Sequence, residues 1–264
     1  MNRIFLLWAL TVLAACKEPA TGNGAPAIAM AQVIPDGVVP QVKLEGRYKI
    51  NALITDAPIN EYVLYPAEEL DLFGNSVIFK ADGSFTSAYS ADCGNDCFTS
   101  SVGRYVWTND VHVRLVADNI RITGDCQNKH YAPHKDLGVY MVVENDKDIR
   151  LIKSSGDAKA DALTRSYSEA IDAFDRETSN IYNFHPIPAR PGGADTTDAG
   201  KVAAALEGNP AFDPAKVKVL YSKRVRNYFE AILFEHKGQQ HIVLCIVHSG
   251  YVGLYDPAKW PKGK

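Results

Sequence analysis

After its first fifteen residues the chain lacks any apolar run near the roughly twenty residues that a membrane-spanning helix needs, so we expect the rest to be aqueous. It also lacks an excess of charge, since 28 Lys and Arg stand against 31 Asp and Glu. Nucleic-acid-binding proteins usually carry a basic surface, and this balance therefore argues against nucleic acid as a partner. We find no internal repeat, and no nucleophile–base or paired-carboxylate arrangement. The sequence thus predicts a protein that is not an enzyme and needs no cofactor.

The one long apolar run lies in the first sixteen residues, MNRIFLLWALTVLAAC. Arg3 precedes an unbroken apolar stretch from Ile4 to Ala15, which is too short to span a bilayer. A short apolar core behind a positive charge and before small residues is typical of a secretory signal peptide. We therefore predict that residues 1–15 are a signal peptide.

Leu13-Ala14-Ala15-Cys16 ends this segment and resembles the lipobox of bacterial lipoproteins. The resemblance implies cleavage before Cys16 and a diacylglyceryl group on its thiol. Several acyl chains would anchor the protein stably, because each buried methylene contributes roughly 0.8 kcal/mol. In the best-studied sorting system an Asp after the cysteine retains a lipoprotein in the inner membrane, so Lys17 favours the outer membrane. An ordinary signal peptide followed by a chance cysteine is the alternative.

Residues 16–43 mix Ala, Pro, Gly and Val without a sustained period. Such a composition is typical of a flexible linker. We predict a lipidated tether that joins the cell envelope to a folded body in the periplasm or at the cell surface.

Residues 44–155 contain short runs of alternating apolar and polar residues, separated by turn residues. Asp82-Gly83, between two such runs, is a strong hairpin signal. Thr108-Asn109-Asp110 and Asn145-Asp146 predict two further hairpins, and 119–124 (NIRITG) predicts a short separate strand. We count about eight strands. Consecutive antiparallel strands favour a meander that closes into a barrel, because closure removes exposed edges.

Within residues 44–155, a helix is considered only in the segment 59–73. Three short motifs resemble those of lipocalin-like domains in bacterial lipoproteins: Gly46-Arg47-Tyr48, Phe79-x-x-Asp82-Gly83-x-Phe85 and Gly103-x-Tyr105. Lipocalins carry Trp where this chain has Tyr48. The resemblance implies an antiparallel β-barrel over 44–155, whose mouth holds a small apolar ligand or whose interior is packed and holds nothing.

Four cysteines remain besides Cys16, and disulfides are expected in an exported protein. Cys245 lies in the apolar run HIVLCIV and is predicted to be a small buried hydrophobe. We favour a bridge from Cys126 to Cys93 or to Cys97. In a strict eight-stranded meander those loops lie at opposite ends of the barrel. The alternatives are a local Cys93–Cys97 bridge, a longer strand in place of the separate NIRITG strand, or a barrel that is not a simple meander.

Cys93 and Cys97 are four residues apart, and Cys126, His130 and His134 follow one another at the same spacing. Thiolates and imidazoles bind zinc or copper, so these five residues are a candidate metal site. The spacing matches no common zinc motif and exported thiols usually oxidise, so we favour a disulfide with exposed histidines over a metal site.

Cys245, with His236, His241 and His248, suggests a thiol hydrolase, which requires an exposed cysteine beside a base. We favour a core cysteine among surface histidines.

A different pattern begins at Gly156. Apolar residues recur at intervals of three and four residues, which predicts an amphipathic helix: Ala160, Leu163, Tyr167, Ile171 and Phe174. Its opposite face carries Arg165, Glu169, Asp172 and Asp175. A second helix is predicted at about 198–207, and three or four antiparallel strands are predicted after Pro214. The aromatic residues of these strands, including Phe234 and Tyr255, are expected in the core or in cross-strand pairs. Residues 156–264 would thus form an α+β unit, either a second domain or an extension that covers the barrel.

These features predict a fold that is mainly β plus α+β. They favour an envelope lipoprotein of binding type, which captures a small apolar molecule or masks a protein partner as an inhibitor or immunity protein would. A structural or assembly lipoprotein that holds an envelope partner is the alternative. A deep apolar cavity in the barrel would favour the small molecule, whereas a filled barrel with an exposed apolar patch would favour a protein partner.

Overall fold

The computed structural model describes residues 40–68, 73–92, 95–184, 190–226, 229–247 and 249–255. The predicted signal peptide, the lipidation at Cys16, and the candidate residues Cys93 and His248 lie outside the described residues.

Eight antiparallel strands close into a barrel, as predicted. They are β1 (Gly46–Ile50), β2 (Glu61–Pro66), β3 (Gly74–Phe79), β4 (Ser84–Ser90), β5 (Cys97–Trp107), β6 (His112–Gly124), β8 (Lys135–Glu144) and β9 (Ile149–Lys153). Their order around the barrel is β1-β2-β9-β8-β6-β5-β4-β3, and β3 pairs with β1 to close it. A short strand, β7 (Lys129–Tyr131), pairs with the second half of β6.

Two details of the strand order differ from the simple meander. The segment 119–124 is the second half of β6 and not a separate strand. Strand β2 lies within 59–73, where the sequence suggested a helix, and β1 pairs with both β2 and β3. The connection from β2 to β3 therefore passes β1, and the barrel is not a simple meander.

The predicted hairpin at Asp82-Gly83 is confirmed. The Asp82 carboxylate accepts hydrogen bonds from the backbone N–H and the hydroxyl of Ser84, at 2.9 and 2.6 Å. Gly83 has a φ of 81°, which glycine adopts without the steric cost that a side chain would impose.

Aromatic side chains fill the barrel interior. Five of them are fully or almost fully buried: Tyr62, Phe79, Phe85, Tyr105 and Tyr140. Phe79 and Tyr105 meet edge to face with ring centroids 5.2 Å apart, and the rings of Tyr62 and Tyr140 lie 5.5 Å apart. The Tyr105 hydroxyl donates to the Lys80 carbonyl and the Tyr140 hydroxyl to the Ile59 carbonyl.

Chain segments also cover both ends of the barrel. At one end Ile54 is fully buried; its N–H donates to the Ser87 hydroxyl at 3.2 Å, and the Ser101 hydroxyl donates to its carbonyl. At the other end Val42 and Leu44 are buried in the same apolar cluster. Val42 precedes the predicted start of the barrel at residue 44. The barrel is therefore of the packed kind, with its mouth occupied by its own side chains.

The C-terminal unit contains two helices and a five-stranded antiparallel sheet. The helices are α1 (Ala158–Phe184) and α2 (Asp198–Leu206), and the strands are β10 (Arg190–Pro191), β11 (Val217–Val225), β12 (Phe229–His236), β13 (Gln239–Ile246) and β14 (Tyr251–Leu254). The Thr197 hydroxyl caps α2 by accepting from the Gly200 N–H. Among the described residues no helix combines the length and hydrophobicity needed to cross a membrane.

This unit packs on the outer wall of the barrel, which is the outward-facing side of β2, β8 and β9. Met141, Val143 and Ile152 of the wall share one apolar cluster with residues of α1, β11, β12 and β13.

The predicted inward face of α1 is partly wrong. Ile171 is buried, but Leu163 is 50% exposed, and Asp172, which was placed on the outer face, forms ion pairs at the barrel wall. The wall presents charged groups to this helix, so its buried face includes polar residues that the apolar periodicity cannot detect.

Candidate functional site

An open cleft of about 640 Å³ lies in the C-terminal unit between α1, the segment after α2, and the ends of β12, β13 and β14. We call it the aromatic cleft. Its apolar lining includes Phe174, Phe212, Leu233, Ile242, Leu254 and Tyr255. Binding sites for small organic molecules typically measure about 300–1,000 Å³ and are mostly apolar. The aromatic cleft falls within that range.

The turn that ends α2 positions one wall of the cleft. The Asn209 N–H donates to the Leu206 carbonyl at 2.9 Å, and the Phe212 N–H donates to the Asn209 carbonyl at 3.2 Å. Gly208 permits this change of direction with a φ of 71°. The turn thereby presents the Phe212 ring to the end of the sheet.

The opposite wall combines α1 with the end of β14. The rings of Phe174 and Tyr255 meet edge to face, with centroids 4.8 Å apart. The Tyr255 N–H donates to the Ile242 carbonyl at 2.9 Å, which continues the pairing of β14 with β13 and fixes this rim of the cleft.

His241 and Tyr255 are the titratable residues of the lining among the described residues. The His241 ring packs against those of Phe212 and Phe234, at centroid distances of 5.0 and 5.3 Å. Burial, together with the neighbouring His236, lowers the pKa of His241 below its usual value. The imidazole is therefore neutral at physiological pH.

A second group of polar residues lies at the interface between the barrel wall and the C-terminal unit. We call it the buried ion network: Glu61, Asp148, Arg150, Asp172 and Lys223. The Lys223 ammonium lies 3.2 Å from Glu61 Oε1 and 2.7 Å from Asp172 Oδ1. Arg150 contacts Glu61, Asp172 and Asp148.

Ser168 and Tyr221 complete the hydrogen bonding of Glu61. Their hydroxyls donate to Glu61 Oε2 at 2.6 and 3.2 Å. Burial and the Glu61 charge raise the pKa of Tyr221, so this hydroxyl keeps its proton. Buried charges require such partners, because an unpaired ion in the interior is costly.

The Ser168 hydroxyl lies 2.9 Å from Lys223 Nζ, a pairing that some hydrolases use to activate a serine. Here two carboxylates hold the Lys223 ammonium, and Ser168 donates its proton to Glu61. Since the ammonium has no lone pair to accept a proton, the geometry suits a structural role.

The cysteine and histidine candidates separate into different places. Cys97 and Cys126 form a disulfide, which agrees with one of the two favoured pairings. The register explains it: Cys97 pairs with Gly124 across β5 and β6, so the uninterrupted β6 brings Cys126 to the same end of the barrel.

The bridge removes the thiolate from the metal alternative of Cys126, His130 and His134. His130 is exposed on β7, and His134 lies 3.3 Å from the Asp118 carboxylate. Within the described ranges no three His, Cys, Asp or Glu side chains are grouped to bind a metal ion.

Cys245 is a free, buried cysteine, as predicted. It packs in the apolar cluster below α2, and burial raises the pKa of its thiol. A thiol with a raised pKa is a poor nucleophile. His236 is also buried, with its Nε2 accepting from the Asp213 N–H at 3.2 Å, so it is not the surface histidine that the sequence suggested.

The sequence did not point to the aromatic cleft. Phe174 was predicted on the apolar face of α1 and Tyr255 in the core or in a cross-strand pair, and Phe212 carried no signal at all. Phe234 is buried in the core, as predicted. No protein-family description matches this chain, and no curated protein or solved structure is significantly similar to it.

Proposed function

We propose that this protein is a lipid-anchored envelope protein that binds a small apolar molecule in the aromatic cleft. The observation that carries the proposal is the contrast between the two halves of the chain. Side chains fill the barrel, whereas the C-terminal unit has an open cleft of about 640 Å³ lined by aromatic rings. The proposed ligand site is therefore the aromatic cleft and not the barrel mouth that the sequence suggested.

The chemistry of the lining supports an apolar ligand. Burying apolar ligand surface against these rings contributes roughly 25 cal/mol per Å². Phe212 and His241 are held by their ring contact and Tyr255 by its ring contact with Phe174, so little side-chain freedom is lost when a ligand binds.

The test uses N-phenyl-1-naphthylamine, an uncharged probe whose fluorescence rises in apolar surroundings. We expect saturable binding to the chain from residue 17 onward, purified without detergent. Ala211 is exposed and lines the cleft, so Ala211→Trp places an indole in the ligand's space and should weaken binding about tenfold or more.

Ala162→Trp provides the matched control, because Ala162 is exposed on α1 and does not line the cleft. It should bind the probe like the wild type. Equal binding by both tryptophan variants, or no binding by the wild type, would reject the proposal. Native mass spectrometry of the same three proteins would show whether a natural ligand copurifies and whether Ala211→Trp removes it.

The proposed anchor is tested separately. Incorporation of labelled palmitate should require Cys16, and Cys16→Ala should abolish it, whereas Cys245→Ala should not. Labelled wild-type protein is expected in the outer-membrane fraction. An unlabelled wild-type protein would leave an ordinary signal peptide as the explanation of the N-terminus.

Masking of an envelope protein is the second candidate. It is favoured by three apolar side chains that are exposed on the free face of the barrel: Ile78, Val102 and Val106, at 41%, 46% and 38%. Thr86 of β4 pairs with both Ile78 and Val102, so Ile78, Thr86 and Val102 form one row across β3, β4 and β5, and Val106 lies four residues further along β5. Val102→Lys should remove a crosslinked envelope partner without changing probe binding in the cleft.

A further inference from the structure

The aromatic cleft lacks charge. Of the described residues that line it, none carries a carboxylate, an ammonium or a guanidinium. An ionised ligand would leave water without a counter-charge, and burying an unpaired charge is costly. The lining thus selects against anions and cations.

The polar side chains of the lining are those of Asn209, Gln240, His241 and Tyr255. The His241 ring packs against Phe212 and Phe234, which restrict its direction before a ligand arrives. Neither ring nitrogen hydrogen-bonds to any side chain or backbone group in the described part of the chain. A neutral imidazole offers one donor and one acceptor, and both remain available to a ligand.

The neighbouring histidine differs in this respect. His236 is 4% exposed and its Nε2 already accepts from the Asp213 N–H. It packs against the same Phe212 ring, with centroids 5.0 Å apart. His236 therefore supports Phe212, while His241 is the histidine that faces the cleft.

We infer that the ligand of the aromatic cleft is an uncharged apolar molecule with a hydroxyl or carbonyl group, which His241 hydrogen-bonds. This inference rests on the proposed function and specifies its ligand class. The apolar walls bind the body of the molecule, and the imidazole fixes its direction in the cleft. A hydroxyl can donate to the unprotonated nitrogen, and a carbonyl can accept from the other.

Two matched probe pairs test the inference on the chain from residue 17 onward. The first compares N-phenyl-1-naphthylamine with 8-anilino-1-naphthalenesulfonate, which has the same rings and an added negative charge. We expect the anion to bind about tenfold or more weakly. Equally tight binding of the two probes would overturn the inference that the ligand is uncharged.

The second pair is 2-naphthol and 2-methylnaphthalene, measured by displacement of N-phenyl-1-naphthylamine. His241→Phe keeps an aromatic ring packed against Phe212 and Phe234 but removes the hydrogen bond to the ligand. It should weaken 2-naphthol about fivefold or more, in line with the typical net contribution of one hydrogen bond. It should leave the affinity for 2-methylnaphthalene within about twofold, and His241→Gln should retain part of the preference for the hydroxyl.

The outcomes separate the two proposals. If none of the probes binds the wild type, the proposed function fails. If both naphthalenes bind and His241→Phe changes the two affinities equally, the cleft binds apolar molecules but His241 does not recognise the polar group. In that case only the further inference is overturned.

Discussion

The Glu61 carboxylate and the Lys223 ammonium lie 3.2 Å apart, with their side chains 0% and 2% exposed. Glu61 belongs to β2 of the barrel and Lys223 to β11 of the second sheet. This contact therefore joins the two halves of the fold through their most deeply buried charges. Beside it, Met141, Val143 and Ile152 join the same halves through one apolar cluster.

Removing one member of this pair should destabilise the whole protein. Lys223→Met leaves Glu61 and Asp172 with too little positive charge in a buried site, and we expect a loss of about 3–5 kcal/mol in the free energy of unfolding. Urea unfolding followed by circular dichroism measures it. The matched control is Arg165→Met, which removes the exposed Arg165–Glu169 pair on α1 and should cost less than about 0.5 kcal/mol.

The double variant Glu61→Gln/Lys223→Met should recover part of the loss, because it removes the uncompensated carboxylate as well. Since the two halves share an apolar cluster, a single unfolding transition is expected. A cost for Lys223→Met similar to that of the Arg165 control, or separate transitions for the two halves, would contradict this account.

The same buried interface explains which strand escaped sequence analysis. The β3–β4 hairpin was predictable because Asp82-Gly83 separates two runs with clear alternation. In β2 the residues from Glu61 to Leu64 are all buried, since the C-terminal unit covers the side that would otherwise face water. Without an exposed face there is no polar–apolar alternation to detect.

The aromatic cleft was hidden for a different reason. Its walls come from α1, the turn after α2 and the end of β14, which are brought together only by tertiary packing. Local patterns identify elements but not the space between them. His241 was noted in the sequence, yet its role as the polar group of an apolar cleft depends on the positions of Phe212 and Phe234.

The disulfide offers a test of stability and of pairing at once. Closing the loop between Cys97 and Cys126, which are 29 residues apart, should contribute about 3 kcal/mol. We expect Cys97→Ser and Cys126→Ser to lower the stability in urea by similar amounts, and a reductant to bring the wild type to the same level. Cys245→Ala serves as a control that retains the bridge. An unchanged stability for Cys97→Ser would show that Cys126 pairs elsewhere.

The packed barrel predicts that its core and the ligand site respond independently to substitution. Ile54→Ala removes a fully buried side chain that closes one end of the barrel and should cost about 2–5 kcal/mol in unfolding free energy. At a temperature where the variant is still folded, its affinity for N-phenyl-1-naphthylamine should be unchanged. A loss of probe binding in Ile54→Ala but not in Ala211→Trp would move the binding site from the cleft to the barrel.

Probe binding should also depend on pH through His241. Burial and the proximity of His236 lower the pKa of His241 below the ordinary value near 6.5. The neighbouring His236 contributes to this shift, the Asp213 N–H donates to His236, and Tyr255 is the other titratable residue of the lining. Above its pKa the imidazole is neutral and the cleft is uncharged. As the pH falls through the lowered pKa, protonation places a positive charge in the apolar lining.

The affinity for N-phenyl-1-naphthylamine should therefore be constant above the ordinary histidine pKa near 6.5 and decrease as the pH falls through the lowered pKa of His241. The sign follows from linkage: a probe that prefers the neutral ring competes with the proton, just as a depressed folded-state pKa makes the folded protein less stable at low pH. Fluorescence titrations with the probe from neutral to acidic pH measure this change in affinity. His241→Phe has no proton to gain at this position, so its affinity should not vary with pH. If the wild type and His241→Phe show the same pH profile, another group causes the dependence and His241 does not contact the ligand.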